Sequence, residues 1–171
     1  MSKVLIVDDE ASVHDDFRRC LLPAANESPR LDELRRDLFG VEASPTNDLH
    51  AVELTHAMSG EDAARVVGGT AGHPEVAFAL AFVDMRMSPG WNGVETIREL
   101  WLRDARIQMV LCTAYSDFTW DRVLAEVGNG ERLHLLRKPF STDQVRRFAQ
   151  VLCKKWSLAN PGPRGRFGRT G

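Results

Sequence analysis

Five polar residues stand where four separate hydrophobic runs end, and their chemical types suit phosphate chemistry. They are Asp8, Asp9, Asp84, Thr113 and Lys138. If the four runs are parallel strands of one open sheet, their carboxyl ends line a single edge, and ligands bind at that edge in such folds. Three carboxylates, a hydroxyl and an ammonium would then lie together although they are far apart in the sequence.

Three carboxylates in one place are unfavourable without a counter-charge. Like charges about 4 Å apart cost roughly 4 kcal/mol per pair at an effective dielectric constant near 20, so the group either binds a proton or recruits a cation. Mg²⁺ suits the site because it prefers oxygen ligands and typically uses one or two carboxylates together with water. One acid is then free to act as a nucleophile and form an aspartyl phosphate. We expect Asp84 to be that acid, with Thr113 and Lys138 stabilising the charge on the transferred group.

Four short motifs in this order resemble the receiver domain of two-component response regulators, the CheY-like superfamily. The motifs are Val-Asp-Asp-Glu at 7–10, Val-Asp-Met-Arg-Met at 83–87 with Gly93 following, Thr113-Ala114, and Lys138-Pro139-Phe140. The resemblance covers roughly residues 3–156, and the joint order of the motifs makes it specific. It implies a phosphorylatable signalling module, which is not an enzyme beyond its own phosphorylation and dephosphorylation.

The resemblance also implies a role for each polar residue. Asp84 would accept the phosphoryl group, and Thr113 and Lys138 would hold the phosphoryl oxygens. The implied cofactor is Mg²⁺, with carboxylates and one main-chain carbonyl as its protein ligands: Asp8, Asp9, Asp84 and Arg86. The phosphodonor would be a sensor histidine kinase, a phosphotransfer protein or a small phosphorylated molecule, and the output a downstream protein effector or output domain.

Other functions are weighed against this interpretation. A haloacid-dehalogenase-type phosphatase needs Asp-x-Asp after its first strand, but Glu10 occupies the second acidic position. A nucleotide-binding fold is disfavoured because no glycine-rich phosphate loop follows Val7. The remaining alternatives are a receiver-like scaffold that is not phosphorylated, and a regulatory domain of a larger hybrid kinase or cyclic-dinucleotide signalling protein. A nucleic-acid partner is not favoured because no DNA- or RNA-binding motif occurs, and a homodimer is left open.

Hydrophobic periodicity alternates between short strand-like runs and amphipathic stretches, which is typical of βαβ units. The predicted strands are 3–7, 51–56, 78–83, 107–112 and 133–136, and the predicted helices are 11–22, 60–68, 93–103, 117–127 and 141–156. Ser59, Asp117 and Ser141 or Thr142 are the expected helix N-caps. The predicted fold is α/β and flavodoxin-like: a doubly wound, five-stranded parallel sheet in order 2-1-3-4-5 with helices on both faces.

Three segments depart from the receiver pattern. Within a receiver domain predicted at 1–156, residues 23–50 form an insertion in which leucines recur at helical spacing. The loop after Asp84 holds one residue more than expected before Gly93, and it contains the bulky Trp91. Residues 157–171 are predicted to be a basic, disordered tail.

Composition fits a compact domain, because 171 residues with 43% hydrophobic content suffice for a substantial core. No apolar run is long enough for a membrane span, and the chain starts as a strand without a signal-peptide pattern. A cytoplasmic location without a membrane partner is therefore expected. Cys20, Cys112 and Cys153 lie in apolar stretches and are predicted to be reduced core residues.

Overall fold

The computed structural model describes residues 1–22, 52–70, 73, 76–114, 120–128 and 130–161. Within them, five strands alternate with five helices. The strands are β1 (Ser2–Val7), β2 (Val52–Ala57), β3 (Phe78–Asp84), β4 (Gln108–Thr113) and β5 (Leu133–Arg137). The helices are α1 (Ala11–Leu21), α2 (Gly60–Gly69), α3 (Gly93–Arg103), α4 (Trp120–Val127) and α5 (Thr142–Ala159). The predicted 23–50 insertion and the predicted N-cap Asp117 lie outside the described residues.

The five strands form one parallel sheet in the order β2-β1-β3-β4-β5. The predicted α/β, flavodoxin-like architecture is therefore confirmed. Every residue of β3 is buried, as expected for a central strand that is covered on both faces. Packing on both faces holds β3 in place, and with it Asp84 at its carboxyl end.

Helices cover both faces of the sheet, and alternate residues of β1 show the two layers. Val4 and Ile6 pack in one cluster with residues of α1 and α5, whereas Leu5 and Val7 pack in a second cluster with residues of α2, α3 and α4. This alternation follows from the two-residue period of a strand. A large buried contact on the first face joins Phe17 of α1 to Phe82 of β3, with ring centroids 4.8 Å apart.

Two predicted helix caps are confirmed. The hydroxyl of Ser59 accepts the N–H of Asp62 at 3.1 Å, and Ser141 forms a reciprocal capping box with Gln144, which resolves the choice between Ser141 and Thr142. Each cap satisfies N–H groups that a helix start would otherwise leave without partners.

The predicted end of the last helix was three residues early. Residues 157–159 contain no proline or glycine, so α5 continues to Ala159 and ends before Asn160 and Pro161. The N–H and the side-chain amide of Asn160 both donate to the carbonyl of Trp156. The first part of the predicted tail is therefore helical, and residues 162–171 lie outside the described residues.

All three cysteines are free and buried, as predicted. Burial raises the pKa of the Cys153 thiol to about 11 and raises the pKa of Cys112 as well, which keeps both thiols protonated. In the described part of the chain, no helix combines the length and the apolar character that a membrane span requires.

Candidate functional site

The carboxyl ends of four strands meet at one edge of the sheet. Asp84 lies in register with Cys112 of β4, and the N–H of Met85 donates to the Cys112 carbonyl at 2.8 Å. The N–H of Lys138 donates to the carbonyl of Thr113, also at 2.8 Å. Backbone hydrogen bonds between neighbouring strand ends therefore hold Asp84, Thr113 and Lys138 in fixed positions at this edge.

Lys138 joins two of the predicted acids. Its Nζ lies 2.6 Å from Oδ1 of Asp84 and 3.2 Å from Oδ2 of Asp8. Both carboxylates are buried, with exposed fractions of 7% for Asp84 and 3% for Asp8. The structure thus brings together three of the five residues selected from the sequence.

The charges in this cluster are not balanced. Burial raises the pKa of Asp84, and the neighbouring Asp8 raises it further. The ion pair with Lys138 and the hydrogen bond from Arg86 lower the pKa, but their effect is smaller, so the pKa of Asp84 lies above its ordinary value. Burial lowers the pKa of Lys138, but hydrogen bonds and charge interactions with Asp84 and Asp8 outweigh it and raise the value to about 12. Lys138 therefore stays charged and is shared between two carboxylates, so ionised Asp84 retains unbalanced negative charge.

Backbone groups hold each carboxylate in place. The N–H of Arg86 donates to Oδ2 of Asp84 at 2.8 Å, and the N–H of Glu10 donates to Oδ1 of Asp8 at 2.9 Å. Gly93, the first residue of α3, donates its N–H to the carbonyl of Met85 at 3.0 Å. A Cβ at Gly93 would overlap the carbonyl oxygen of Asp84, so the approach of α3 to the end of β3 requires glycine.

A histidine pair next to the backbone of Asp8 is a feature that the sequence does not signal. Nε2 of His14 lies 2.8 Å from the backbone carbonyl of Asp8; because a carbonyl only accepts, this nitrogen carries the hydrogen. Nδ1 of His14 lies 2.9 Å from Nδ1 of His56. Burial lowers the pKa of His56, as do the nearby His14 and Arg18, which favours the neutral ring. His14 therefore links β2 to the backbone of Asp8 through contacts of both its ring nitrogens.

Two other predicted residues lie at this edge with their side chains turned to neighbouring loops. Asp9 is exposed, and its Oδ2 accepts the N–H of Ser88 at 3.3 Å. The hydroxyl of Thr113 donates to the carbonyl of Ala114 at 3.0 Å. The polar side-chain atoms of both residues are therefore bonded to nearby backbone groups.

The donor set suits Mg²⁺. Among the described residues, no group of three or more His, Cys, Asp or Glu side chains forms a metal cage. Mg²⁺ does not need one, because it commonly takes one or two carboxylates and keeps several waters. Oxygens of Asp8 and Asp84 lie against the same ammonium, and Asp9 contacts the loop that follows Asp84. Oxygen donors of the kind that Mg²⁺ prefers are thus present at the edge.

By sequence, the chain matches no protein-family model and no curated protein. By structure, it is similar to a response regulator receiver protein from Sinorhizobium medicae, with a TM-score of 0.61, 18% identity and coverage of 91% of this chain and 97% of that chain. A response regulator receiver domain protein from Clostridium thermocellum gives a TM-score of 0.63, 17% identity and coverage of 93% and 99%. This chain has the receiver-domain fold.

A third solved structure that is similar to this chain carries a different description. It is described as adenylate cyclase from Rhodopirellula baltica, and it gives a TM-score of 0.63, 21% identity and coverage of 92% of this chain and 91% of that chain. At identities this low, similarity establishes the fold alone, because a fold hosts more than one function. The chemistry open to this chain therefore depends on its own residues, above all Asp8, Asp84 and Lys138.

Proposed function

We propose that this chain is a phosphorylatable receiver module that accepts a phosphoryl group on Asp84. The donor would be a histidine kinase, a phosphotransfer protein or a small phosphorylated molecule. One observation carries the proposal: buried Asp84 and Asp8 share the single Lys138 ammonium at the carboxyl edge of the sheet. An arrangement with excess negative charge and one shared ammonium suits a site that must receive both a metal ion and a phosphoryl group.

In the proposed reaction, an oxygen of Asp84 forms a bond to phosphorus while the bond from phosphorus to the donor breaks. With a phosphohistidine donor, the electron pair of the broken bond stays with the imidazole nitrogen. The ion pair with Lys138 favours the ionised form of Asp84 before transfer, and the ammonium would hold a phosphoryl oxygen afterwards. Bound Mg²⁺ would neutralise charge on the phosphoryl oxygens, and the residues to hold it are Asp8, Asp9, Asp84 and the Arg86 carbonyl.

Thr113 gives the proposed module its output. Its hydroxyl bonds the carbonyl of Ala114, and a phosphoryl oxygen at Asp84 would offer a charged acceptor that forms a stronger hydrogen bond. Rotation of the hydroxyl toward the phosphoryl group would release the Ala114 carbonyl and rearrange the start of the loop after β4. A downstream effector or output domain would read that change.

A second candidate is a regulatory receiver domain within a larger signalling protein. It is favoured by the structural similarity to the protein described as adenylate cyclase, and it uses the same Asp84 chemistry. The domain limits of 1–156, the 23–50 insertion and the cytoplasmic location stay predictions from the sequence. The scaffold alternative differs because it predicts no phosphoryl transfer at all.

The experiment that separates phosphoryl acceptance from the scaffold alternative is incubation with acetyl phosphate and Mg²⁺, followed by intact mass measurement. We expect wild-type protein to gain one phosphoryl group, and we expect no gain when EDTA replaces Mg²⁺ or in Asp84→Asn. Asp104→Asn, which changes an acid that is also buried, should gain the group normally. Absence of any gain in wild-type protein with Mg²⁺ would support the scaffold.

A further inference from the structure

The loop between β3 and α3 is tied to two other elements by carboxylates. The N–H of Ser88 donates to Oδ2 of Asp9 at 3.3 Å, and the N–H of Trp91 donates to Oε1 of Glu61 at 3.3 Å. Asp9 follows β1, and Glu61 lies in the first turn of α2. We call residues 88–91 the bridging turn, because they connect a predicted metal ligand to α2.

The bridging turn packs closely against the start of α2. Gly90 has a φ of +116°, a conformation that residues with a side chain rarely adopt. A Cβ at Gly90 would lie 2.8 and 2.9 Å from the two carboxylate oxygens of Glu61. A Cβ at Gly60 would lie 3.1 Å from Cβ of Trp91. The carboxylate of Glu61 therefore lies against the backbone of the turn, and the absence of a side chain at Gly90 leaves the room that this contact needs.

Glu61 differs in this respect from its neighbour Asp62. Both acids lie in the first turn of α2, where negative charge is favourable near the N-terminal end of the helix dipole. The carboxylate of Asp62 pairs with Arg65 on the outside of the same helix. Only Glu61 of these two acids reaches the bridging turn, so the two form a natural pair of test and control positions.

We infer that Glu61 is a positioning residue for the divalent-cation site. By holding the N–H of Trp91, it fixes the bridging turn, and the turn places the Ser88 N–H on one oxygen of Asp9. The second oxygen of Asp9 stays available for a hard, oxygen-ligated cation such as Mg²⁺. An oriented ligand loses less conformational freedom on binding, and residues that support metal ligands raise affinity for this reason. The inference rests on the proposed function.

The test is a titration of the full chain with Mg²⁺, in which binding is measured by calorimetry and by tryptophan fluorescence. Trp91 contributes to that fluorescence. Glu61→Ala should bind Mg²⁺ about tenfold more weakly, the lower end of the cost of losing a residue that supports a ligand. Glu61→Gln keeps an oxygen that accepts the Trp91 N–H, so its affinity should lie near that of wild-type protein. Asp62→Asn removes the same charge from the same turn and should also bind like wild-type protein.

The three variants separate positioning from long-range charge. Glu61→Gln and Asp62→Asn lose as much charge as Glu61→Ala, so equal weakening in all three would overturn the inference, as would unchanged affinity in Glu61→Ala. A second readout needs no metal: amide hydrogen exchange of Trp91 should be faster in Glu61→Ala than in wild-type protein and in Glu61→Gln. An unchanged exchange rate would contradict the proposed contact.

The proposed function can fail separately. If Glu61→Ala weakens Mg²⁺ binding but wild-type protein gains no phosphoryl group from acetyl phosphate, the positioning role stands and the acceptor role does not. If wild-type protein is phosphorylated and all variants bind Mg²⁺ equally, the acceptor role stands and the positioning role does not. Failure of wild-type protein to bind Mg²⁺ would overturn the positioning role.

Discussion

Two buried aspartates, Asp84 and Asp104, each face a cation, and they differ in how completely that cation satisfies them. Asp104 is 9% exposed, close to the 7% of Asp84. The Arg106 side chain gives Asp104 two hydrogen bonds of 2.8 Å, one to each oxygen, and the Arg106 backbone adds a third at 3.0 Å. Asp84 instead shares Lys138 with Asp8.

The pKa directions follow from this difference. Burial raises the pKa of Asp104, but the hydrogen bonds from Arg106 outweigh burial and leave it below the ordinary value. Burial and the nearby Asp8 leave the pKa of Asp84 above the ordinary value. A buried carboxylate with a cation of its own, such as Asp104 with Arg106, is typical of a structural ion pair. Two carboxylates that share one cation, such as Asp84 and Asp8, keep negative charge that a bound cation can neutralise.

The largest contrast is expected when the cation itself is removed from each pair. Lys138→Gln should slow phosphoryl uptake from acetyl phosphate at least about 100-fold, because it removes a charged donor from the developing phosphoryl charge. Arg106→Gln makes the same chemical change at the structural pair and should leave the rate unchanged. Intact mass against time measures both rates, and equal losses in the two variants would remove the distinction between the pairs.

Neutralising each acid should change stability in opposite directions. Asp104→Asn should lower the free energy of unfolding by about 2 kcal/mol, because it disrupts charge-assisted hydrogen bonds. The Arg106 side chain is 37% exposed, so solvent screening keeps this loss below that of a fully buried ion pair. Asp84→Asn should raise the free energy of unfolding by about 1 kcal/mol, because it relieves repulsion between the Asp84 and Asp8 carboxylates.

Urea unfolding at neutral pH without divalent cations measures both changes. The two substitutions are matched, because each replaces a buried carboxylate by an amide of the same shape. A loss of stability in both variants would mean that Lys138 satisfies Asp84 as fully as Arg106 satisfies Asp104.

A smaller effect is expected in the pH dependence of the Asp104 pair. Since the folded-state pKa of Asp104 is lowered, the pair stabilises the fold fully above the ordinary carboxyl value of 3.8, and this contribution is lost as pH falls through the folded value. The difference in unfolding free energy between wild-type protein and Asp104→Asn should therefore narrow in acid. A difference that stays constant or widens as the pH falls would show that the ion pair is not its source.

The sequence predicts the strands and the positions of the polar residues well because both depend on local patterns. A buried strand such as β3 must end where its hydrophobic run ends, so Asp84 could be placed without knowing the tertiary structure. The contact between Glu61 and the bridging turn could not be predicted, since it depends on how a loop with an extra residue folds. The meeting of His14 with His56 depends on the packing of α1 beside β2, and no spacing in the sequence signals it.

Side-chain direction is the other property that local patterns do not determine. Asp9 and Thr113 lie at the predicted edge, but their polar atoms bond Ser88 and Ala114. Which partner a surface hydroxyl or carboxylate selects depends on small differences between hydrogen bonds of similar strength. The location of these residues at the edge of the sheet was therefore predictable, and their hydrogen-bond partners were not.

The most direct test of Asp84 as acceptor is to locate the phosphoryl group after incubation with acetyl phosphate and Mg²⁺. Borohydride reduces an aspartyl phosphate to homoserine, and peptide mass spectrometry then identifies the modified position. We expect homoserine at position 84 and unmodified aspartate at positions 8, 9 and 104. Homoserine at one of those other positions, or at none, would contradict the assignment of Asp84.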